Sequence, residues 1–358
     1  MTERPPYRVP TMTEIRAIPW NGFSAVSTFS GTGGSSLGYR MAGFRVLWAS
    51  EFVEAARDSY RANMAEHTIL DGRDIRLVTP KAILEAIGME AGALDLLDGS
   101  PPCASFSTAG KRARDWGKVK KYSDTAQRTD DLFFEFVRIL DGLQPKTFVA
   151  ENVSGLVKGV AKGYFIEILQ ALKACGYRVA AKVLDAQWLG VPQARQRVIF
   201  VGVREDLGLE PVHPKPLAHR YTIRDAFAGL EHAGARVEPE TDISRFAIGK
   251  EWGKIGPGGQ SEKFFQLVRP SLDEPSPTVT ASGGSGSIAS VTHPTELRKY
   301  SIAELRRICG FPDDFVLTGS YPQQWERLGR SVPPPMMARI AMTLRDHVLE
   351  RLPKRIAA

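Results

Sequence analysis

Short apolar runs rich in β-forming residues alternate with stretches of helical periodicity over the first two hundred residues, and this alternation constrains the fold most strongly. The strand-like runs lie at residues 24–29, 45–51, 94–97, 147–150, 177–184 and 198–203. The helix-like stretches lie between them, at residues 34–42, 53–64, 80–87, 130–143 and 164–174. Such alternation predicts an α/β fold in which helices cover both faces of a doubly wound sheet.

The sequence changes character after Arg204. Residues 207–294 are rich in Gly, Pro, Ser and His and show little sustained periodicity, which predicts a smaller, loop-rich domain. Helical patterns return at residues 301–309 and 335–352. We therefore predict an N-terminal extension (1–22), a main α/β domain (23–205), a loop-rich domain (206–325) and a C-terminal segment that returns to the main domain (326–358).

The composition, 43% hydrophobic and 24% charged, is that of an ordinary soluble globular chain. No apolar run approaches the ~20 residues of a membrane span, and residues 1–19 lack the apolar region of a secretory signal. Together with only three cysteines, this favours a reducing, cytoplasmic location. A net charge of +7 favours a polyanionic partner, although a solvated basic surface has the same composition.

Cys103 follows the apolar run 94–97 and two consecutive prolines, Pro101 and Pro102. Open α/β sheets place their ligands at the carboxyl ends of strands, and the prolines stiffen the turn that displays this thiol. Taken alone, Cys103 fits a buried packing residue as well as a nucleophile. Cys175 and Cys309 lie in apolar-periodic segments and are predicted to be packing residues.

A glycine cluster, residues 29–38, connects the first strand to the first helix. Such a loop lets the backbone turn tightly and approach a ligand, but a nicotinamide or flavin enzyme can use a similar one. Glu51 ends the next strand, where it can accept hydrogen bonds from ribose hydroxyls. Asp74 follows the next helix and can reach a nucleobase amine. The three features at successive turns predict a nucleoside-type cofactor.

Glu151 follows the strand predicted at 147–150, and a carboxylate at that place is costly unless it is paired or functional. Arg195 and Arg197 precede the last strand and, if extended, project in the same direction. They can hold a phosphate or orient Glu151 and a substrate base. A surface salt-bridge pair is the alternative.

The motifs together resemble those of the DNA (cytosine-5)-methyltransferases. They appear in the family's order: the Phe-x-Gly-x-Gly-Gly loop at 29–34, Pro-Pro-Cys at 101–103, Glu-Asn-Val at 151–153, Gln-x-Arg-x-Arg at 193–197, Gly-Phe-Pro at 310–312 and Gly-Arg-Ser-Val at 329–332. The resemblance implies a Rossmann-like, mixed class I methyltransferase sheet with a target-recognition domain. It also implies S-adenosyl-L-methionine as the methyl donor.

The resemblance assigns chemistry to four residues. Cys103 would add to C6 of cytosine so that C5 can take the methyl group. Glu151 would hydrogen-bond N3 and the exocyclic amine, with Arg195 and Arg197 supporting it. Because a stacked base is out of reach, the cytosine must be flipped out of the duplex.

The resemblance also assigns cofactor contacts, to Phe29, Gly31, Gly33, Gly34, Glu51, Phe52, Asp74, Ile75, Pro102, Leu132 and Ser331. Three residues depart from the family pattern: Ala104 stands where Gln is usual, Arg330 where Asn is usual, and Asp185 where an Asn before the arginine pair is usual. Arg330 would change the cofactor contact that the resemblance implies at that position.

Double-stranded DNA is the expected partner, with no metal, and a monomer is the default. We expect phosphate contacts from the basic segment after Cys103, namely from Lys111, Arg112, Arg114 and Lys118. Hypothetical base readers in the loop-rich domain are Arg245, Lys250 and Trp252. A cognate restriction endonuclease is a candidate partner. A tRNA methyltransferase of the same family, a catalytically silent DNA-binding protein and a Rossmann oxidoreductase are the alternatives.

Overall fold

The computed structural model describes residues 4–64, 66–102, 120–122, 125–127, 131–158, 161–230 and 236–353. Cys103, Ala104, Lys111, Arg112, Arg114 and Lys118 lie outside these residues. Among the described residues, no helix has the length and apolar character needed to cross a membrane.

A mixed sheet of seven strands forms the centre of the molecule, in the order β3-β2-β1-β4-β7-β10-β8. Its strands are β1 (Ser24–Thr28), β2 (Arg45–Ser50), β3 (Ile69–Asp71), β4 (Leu96–Gly99), β7 (Thr147–Val153), β8 (Tyr177–Asp185) and β10 (Gln196–Arg204). The first five of these in spatial order run parallel, and β10 is antiparallel to both β7 and β8. The short pairs are β5 (Lys120–Tyr122) with β6 (Thr125–Gln127), β9 (Gln193–Ala194) with β13 (Ser276–Pro277), and β11 (Gly259–Gln260) with β12 (Val268–Arg269).

Helices cover both faces of the sheet, as the alternation predicts. They are α1 (Met12–Ala17), α2 (Gly34–Met41), α3 (Glu54–Met64), α4 (Pro80–Ile87), α5 (Leu132–Leu143), α6 (Lys162–Ala174), α7 (Ile223–Phe227), α8 (Ala247–Trp252), α9 (Ile302–Ile308), α10 (Tyr321–Arg330) and α11 (Pro334–His347). One face buries Val26, Leu97 and Phe148 against α4, α5 and α6. The other buries Ala25 and Leu96 against α2 and α11. Successive strand residues thus face opposite layers, as the pleat requires.

The C-terminal helix returns to the main domain, since Met336, Met337 and Ile340 of α11 pack on the sheet. Close packing holds it there: a Cβ on Gly38 of α2 would lie 2.6 Å from the carbonyl oxygen of Pro334. The domain boundaries stay a prediction, and α10 crosses the one placed between 325 and 326.

The structure adds three features that the sequence patterns do not predict. Strand β3 was not predicted, since it has only three residues and is partly exposed. Helix α10 was not predicted either, although Ser320 and Gln323 form a capping box at its start. The N-terminal extension is partly core: Met12 and Ile15 of α1 are buried beside Leu37 of α2.

Candidate active site

A cavity of about 530 Å³ lies at the carboxyl ends of the parallel strands. It is lined by residues at or just after the carboxyl ends of β1, β2, β3, β4 and β7, together with residues of segments 278–281 and 327–332. The lining includes all the predicted cofactor residues except Gly33, namely Phe29, Gly31, Gly34, Glu51, Phe52, Asp74, Ile75, Pro102, Leu132 and Ser331. Glu151, Arg195 and Arg197 line the same cavity. Residues distant in sequence therefore meet at one site.

The glycine loop turns sharply at the cavity wall. Phe29 has a φ of 54°, a left-handed conformation that is rare for a residue with a side chain, and Gly31 and Gly33 have φ values of 56° and 99°. A non-glycine residue in that region costs about 1 kcal/mol or more. Such strain is typical of functional sites, where the surrounding structure enforces it.

Glu51 joins the glycine loop to the start of α3. Its carboxylate accepts hydrogen bonds from the backbone N–H of Gly31 at 2.8 Å and of Val53 at 2.7 Å. Burial raises the pKa of Glu51, and these two bonds oppose the rise. The carboxylate can still accept hydrogen bonds from ligand hydroxyls, because each oxygen has two lone pairs.

Asp74 lies on the cavity wall in an ion-pair network. Its carboxylate accepts a bond from the backbone N–H of Arg76 and pairs with the guanidinium of that residue at 3.0 Å. Arg76 also pairs with Asp131 at 2.7 Å, directly before Leu132. The network positions the Asp74 side chain between the loops after β3 and before α5.

Glu151 and Arg197 form a buried ion pair at 2.7 Å, with side chains 11% and 13% exposed. The pair arises from the antiparallel register of β7 and β10, in which Arg197 lies opposite Val153. The arginine compensates the carboxylate where water is scarce and fixes its orientation.

Arg195 has a different environment. Its guanidinium donates to the carbonyl oxygens of Val279 at 3.2 Å and Gly329 at 3.0 Å, and not to Glu151. Burial, with a smaller effect of Arg197, lowers its pKa to about 9. Arg195 lies between β9 and β10, and its guanidinium lines the same cavity as Arg197 while bonding to different partners. The predicted common direction of the two guanidiniums stays a prediction. Arg195 connects the loops around the cavity.

Sequence reasoning assigned no role to two buried residues, Asn152 on the cavity wall and Asp98 of β4. Asn152 donates from Nδ2 to the carbonyl oxygen of Pro101 at 3.2 Å, in the turn that leads to Cys103. Asp98 accepts bonds from the hydroxyls of Ser27 at 2.8 Å and Tyr39 at 3.0 Å. Burial, and to a smaller extent the charge of Glu151, raises the pKa of Asp98 to about 7. The only sequence signal was position, because Asn152 lies within the Glu-Asn-Val motif and Asp98 lies three residues before the Pro-Pro-Cys motif.

The loop-rich region contains the hypothetical base readers. Arg245 and Lys250 are exposed, as a role in DNA contact requires. Trp252 is only 8% exposed, its Nε1 donates to Oγ1 of Thr292 at 2.9 Å, and the guanidinium of Arg269 covers its ring at 3.9 Å. The prediction that Trp252 reads a base is therefore wrong, because its indole is packed where no base can stack on it.

The two described departures from the family pattern have clear environments. Asp185 accepts bonds from the backbone N–H of Arg195 at 3.1 Å and from the side chain of Gln187 at 2.8 Å, so it orders the turn after β8. Arg330 lines the cavity and pairs with Glu326 at 2.8 Å.

Among the described residues, no cluster of side chains suited to a metal ion is present.

Comparison with known proteins agrees with this architecture. The family model of C-5 cytosine-specific DNA methylases matches residues 23–346. The type II methyltransferase M1.HphI of Haemophilus parahaemolyticus is 33% identical over 334 residues, which cover 88% of this chain and 85% of the relative. M.NgoFVII of Neisseria gonorrhoeae is 30% identical over 345 residues, covering 89% and 85%.

Solved structures show the same fold at low identity. A DNA modification methyltransferase encoded within a prophage (E. coli) superposes with a TM-score of 0.71 at 19% identity, over 92% of this chain and 100% of that one. The DNMT2 of Spodoptera frugiperda superposes with a TM-score of 0.64 at 19% identity, over 89% and 99%. The match over nearly the whole chain shows that this protein belongs to the C-5 cytosine-specific DNA methylases and is a DNA (cytosine-5)-methyltransferase.

Proposed function

We propose that the protein transfers a methyl group from S-adenosylmethionine to C5 of a cytosine flipped out of a short duplex DNA site. The observation that carries this proposal is that one cavity joins the glycine loop and Glu51 to the Glu151–Arg197 ion pair. A nucleoside-type ligand and a base can thus meet within it.

The cavity fits the proposed methyl donor. Its volume of about 530 Å³ suits a ligand of that size. Two of its hydroxyls, Oγ1 of Thr32 and Oγ of Ser100, are buried without a hydrogen-bond partner among the described residues. Orphaned polar groups of this kind are expected where a ligand completes the bonding. Glu51 would hold the ribose, Asp74 the adenine amine, and Phe52 and Ile75 the adenine faces.

Cys103, Glu151 and Arg197 would have separate roles in the methyl transfer. When bound, S-adenosylmethionine supplies an electrophilic methyl group. The thiolate of Cys103 would add to C6 of the base, moving the electrons of the C5–C6 double bond to C5. Glu151 would hydrogen-bond N3 and the exocyclic amine, held by Arg197. After C5 has taken the methyl group, a base removes the C5 proton and the Cys103 thiolate leaves as the double bond re-forms. Water can be that base.

The biological setting is proposed from the relatives. Both relatives named above are type II methyltransferases, so we propose that this enzyme marks a short duplex site within a restriction–modification system. Segment 23–205 would be catalytic, and 206–325 would recognise the target. Lys111, Arg112, Arg114 and Lys118 would contact phosphates, and Arg245 and Lys250 would contact the target site.

The test is expression in a host that lacks cytosine methylation, followed by bisulfite sequencing of its DNA. The proposal expects methylcytosine at one short motif, and its loss in Cys103→Ser. Unmethylated DNA from soluble wild-type protein would contradict the proposal, and methylation of tRNA instead would assign the substrate to RNA.

A further inference from the structure

Lys299 is a fully buried lysine to which no role has been assigned. Its exposed fraction is 0%, and the ring of Trp325 lies 5.6 Å from its ammonium nitrogen. Lysine is rarely buried, because removing an ammonium from water is costly unless an anion compensates the charge. Burial lowers the pKa of Lys299 to about 7, which reflects that cost. The surrounding structure must therefore hold this side chain by other means.

One short segment supplies the acceptors that hold this ammonium. It comprises residues 283–290, with the sequence Gly-Gly-Ser-Gly-Ser-Ile-Ala-Ser, and is called the glycine–serine loop below. Nζ of Lys299 donates to the carbonyl oxygens of Gly283, Ser285 (2.6 Å) and Ile288 (2.8 Å) and to Oγ of Ser290 (3.1 Å). Three glycines leave such a loop little conformational preference of its own. Lys299 is thus a central cation that draws the carbonyls of the loop together and selects one conformation.

The glycine–serine loop connects the cavity with the loop-rich region. Residues 278–281, which line the cavity, lead directly into it. On this side Nε1 of Trp325 donates to the carbonyl oxygen of Thr280 at 2.8 Å. On the other side the backbone N–H of Val268, in β12, donates to the carbonyl oxygen of Ser290 at 3.3 Å. The loop therefore extends from the cavity that would hold the reacting base to the region that would contact the target site.

The bonds to Lys299 also determine which groups the loop turns outward. The C=O and N–H groups of a trans peptide point in opposite directions. Because the carbonyls of Ser285 and Ile288 point to the buried ammonium, the N–H groups of Gly286 and Ala289 point away from it. Ser287, between them, is exposed. Backbone N–H groups and serine hydroxyls are donors that proteins use to bind DNA phosphates.

We propose that Lys299 is a positioning residue, which holds the glycine–serine loop so that its outward N–H groups and the Ser287 hydroxyl bind a phosphate of the duplex beside the flipped cytosine. This inference rests on the proposed function. Lys299 itself would touch neither the DNA nor the methyl donor, because it is buried behind the loop. A phosphate contact of this kind raises the affinity for DNA and takes no part in the methyl transfer.

The experiment compares Lys299→Met with the wild-type protein on a duplex that carries the motif found by bisulfite sequencing. Methionine fills a similar space but cannot hold the carbonyls, so the loop loses its fixed conformation. We expect the Kd for the duplex, measured by fluorescence anisotropy, to rise by about ten- to a hundredfold, the value of a charge-assisted hydrogen bond. The binding of S-adenosylhomocysteine in calorimetry and the single-turnover rate at saturating duplex should stay unchanged.

Duplexes in which one phosphate at a time is replaced by a neutral methylphosphonate locate the contact. We expect the replacement at one phosphate beside the target cytosine to weaken binding by the wild-type protein and to leave binding by Lys299→Met unchanged. Gly286→Ala disturbs the same loop without removing the lysine, because a Cβ there would lie 2.6 Å from the ring of Phe246. This second variant should bind the duplexes as Lys299→Met does.

Lys146→Met is the matched control. Lys146 is a partly buried lysine that pairs with Asp95 at 2.6 Å, but it directly precedes β7, at the end of the sheet opposite the cavity. This variant should bind the duplex as the wild type does. Equal affinity of the wild type and Lys299→Met for the unmodified duplex, or their equal sensitivity to every methylphosphonate, would overturn the inference and leave the proposed function standing. A loss of S-adenosylhomocysteine binding in both loop variants would also overturn it, because the lysine would then support the fold as a whole. Failure of the wild-type protein to bind the duplex would overturn both.

Discussion

Asp98 makes the stability of this protein depend on pH in a predictable direction. Burial raises the pKa of its carboxyl from 3.8 to about 7, so the folded protein keeps this proton to near-neutral pH while the unfolded chain loses it near pH 4. Because the unfolded state then binds fewer protons than the folded state, the free energy of unfolding falls as the pH rises from about 4 to about 7. Three pKa units correspond to about 4 kcal/mol, of which about 3 kcal/mol falls between pH 5 and pH 8.

The substitution Asp98→Asn isolates this contribution. The amide has nearly the same shape, can accept from the Tyr39 hydroxyl and donate to that of Ser27, and does not ionise. We therefore expect the stability of the variant relative to the wild type to increase by about 3 kcal/mol between pH 5 and pH 8. Urea unfolding at a series of pH values measures it. Asp58→Asn, at an exposed ion pair with Arg61, should follow the wild type. A pH-independent difference for Asp98→Asn would refute the argument.

Three further predictions concern the cavity and the loop-rich region. Arg197→Gln leaves Glu151 buried without its cation, which should cost about 3–5 kcal/mol of folding stability. Because Arg197 also orients the Glu151 carboxylate, we expect single-turnover DNA methylation to slow by ~10²-fold, equivalent to about 2.7 kcal/mol in the activation free energy. An unchanged rate would contradict the role of the pair. Trp252→Ala should lower the free energy of unfolding, measured in urea, by about 3–5 kcal/mol and leave the methylated DNA sequence unchanged. Lys250→Ala, at an exposed residue, should leave the free energy of unfolding unchanged. It should reduce by about 1 the slope of the logarithm of the DNA-binding constant against the logarithm of the salt concentration. Gly34→Ala should abolish the binding of S-adenosylhomocysteine measured by calorimetry, because the new Cβ would lie 2.4 Å from the carbonyl oxygen of Val332. The control is Gly163→Ala in α6, where a Cβ meets nothing within 4 Å, and this variant should bind S-adenosylhomocysteine as the wild type does.

The sequence could predict the parts of the site that follow directly from the strand pattern. Parallel strands bring their carboxyl ends to one edge, so motifs after β1, β2 and β4 must converge whatever their separation in sequence. Glu51 and Pro102 line the cavity for this reason. The packing prediction for Cys309 rests on the same kind of periodic signal, and its side chain is buried in the core, which confirms it.

The sequence could not predict what depends on contacts across the chain. Trp252 is of a residue type that can stack on a base, but Arg269 and Thr292, which cover its indole, are 17 and 40 residues further along. Arg195 and Arg197 share a motif, yet Arg195 bonds to the carbonyl oxygens of Val279 and Gly329, 84 and 134 residues further along, whereas Arg197 pairs with Glu151. Arg327 was missed because α10 was not predicted, so nothing indicated that this residue lines the cavity.

Buried hydrogen bonds in the folded sheet fix two sides of the cavity relative to each other, the side of the glycine loop and the side that carries Glu151. Asp98, at the end region of β4, bonds to Ser27 of β1 and to Tyr39 of α2. The chain then continues to Pro101, whose carbonyl oxygen is held by Asn152, the neighbour of Glu151 on β7. Buried hydrogen bonds thus connect β1, which leads into the glycine loop, with β4, and connect Pro101 with β7, which carries the acid. Since catalytic groups are most effective when their positions are set before the ligand arrives, we expect breaking these bonds to impair methyl transfer more than it impairs cofactor binding.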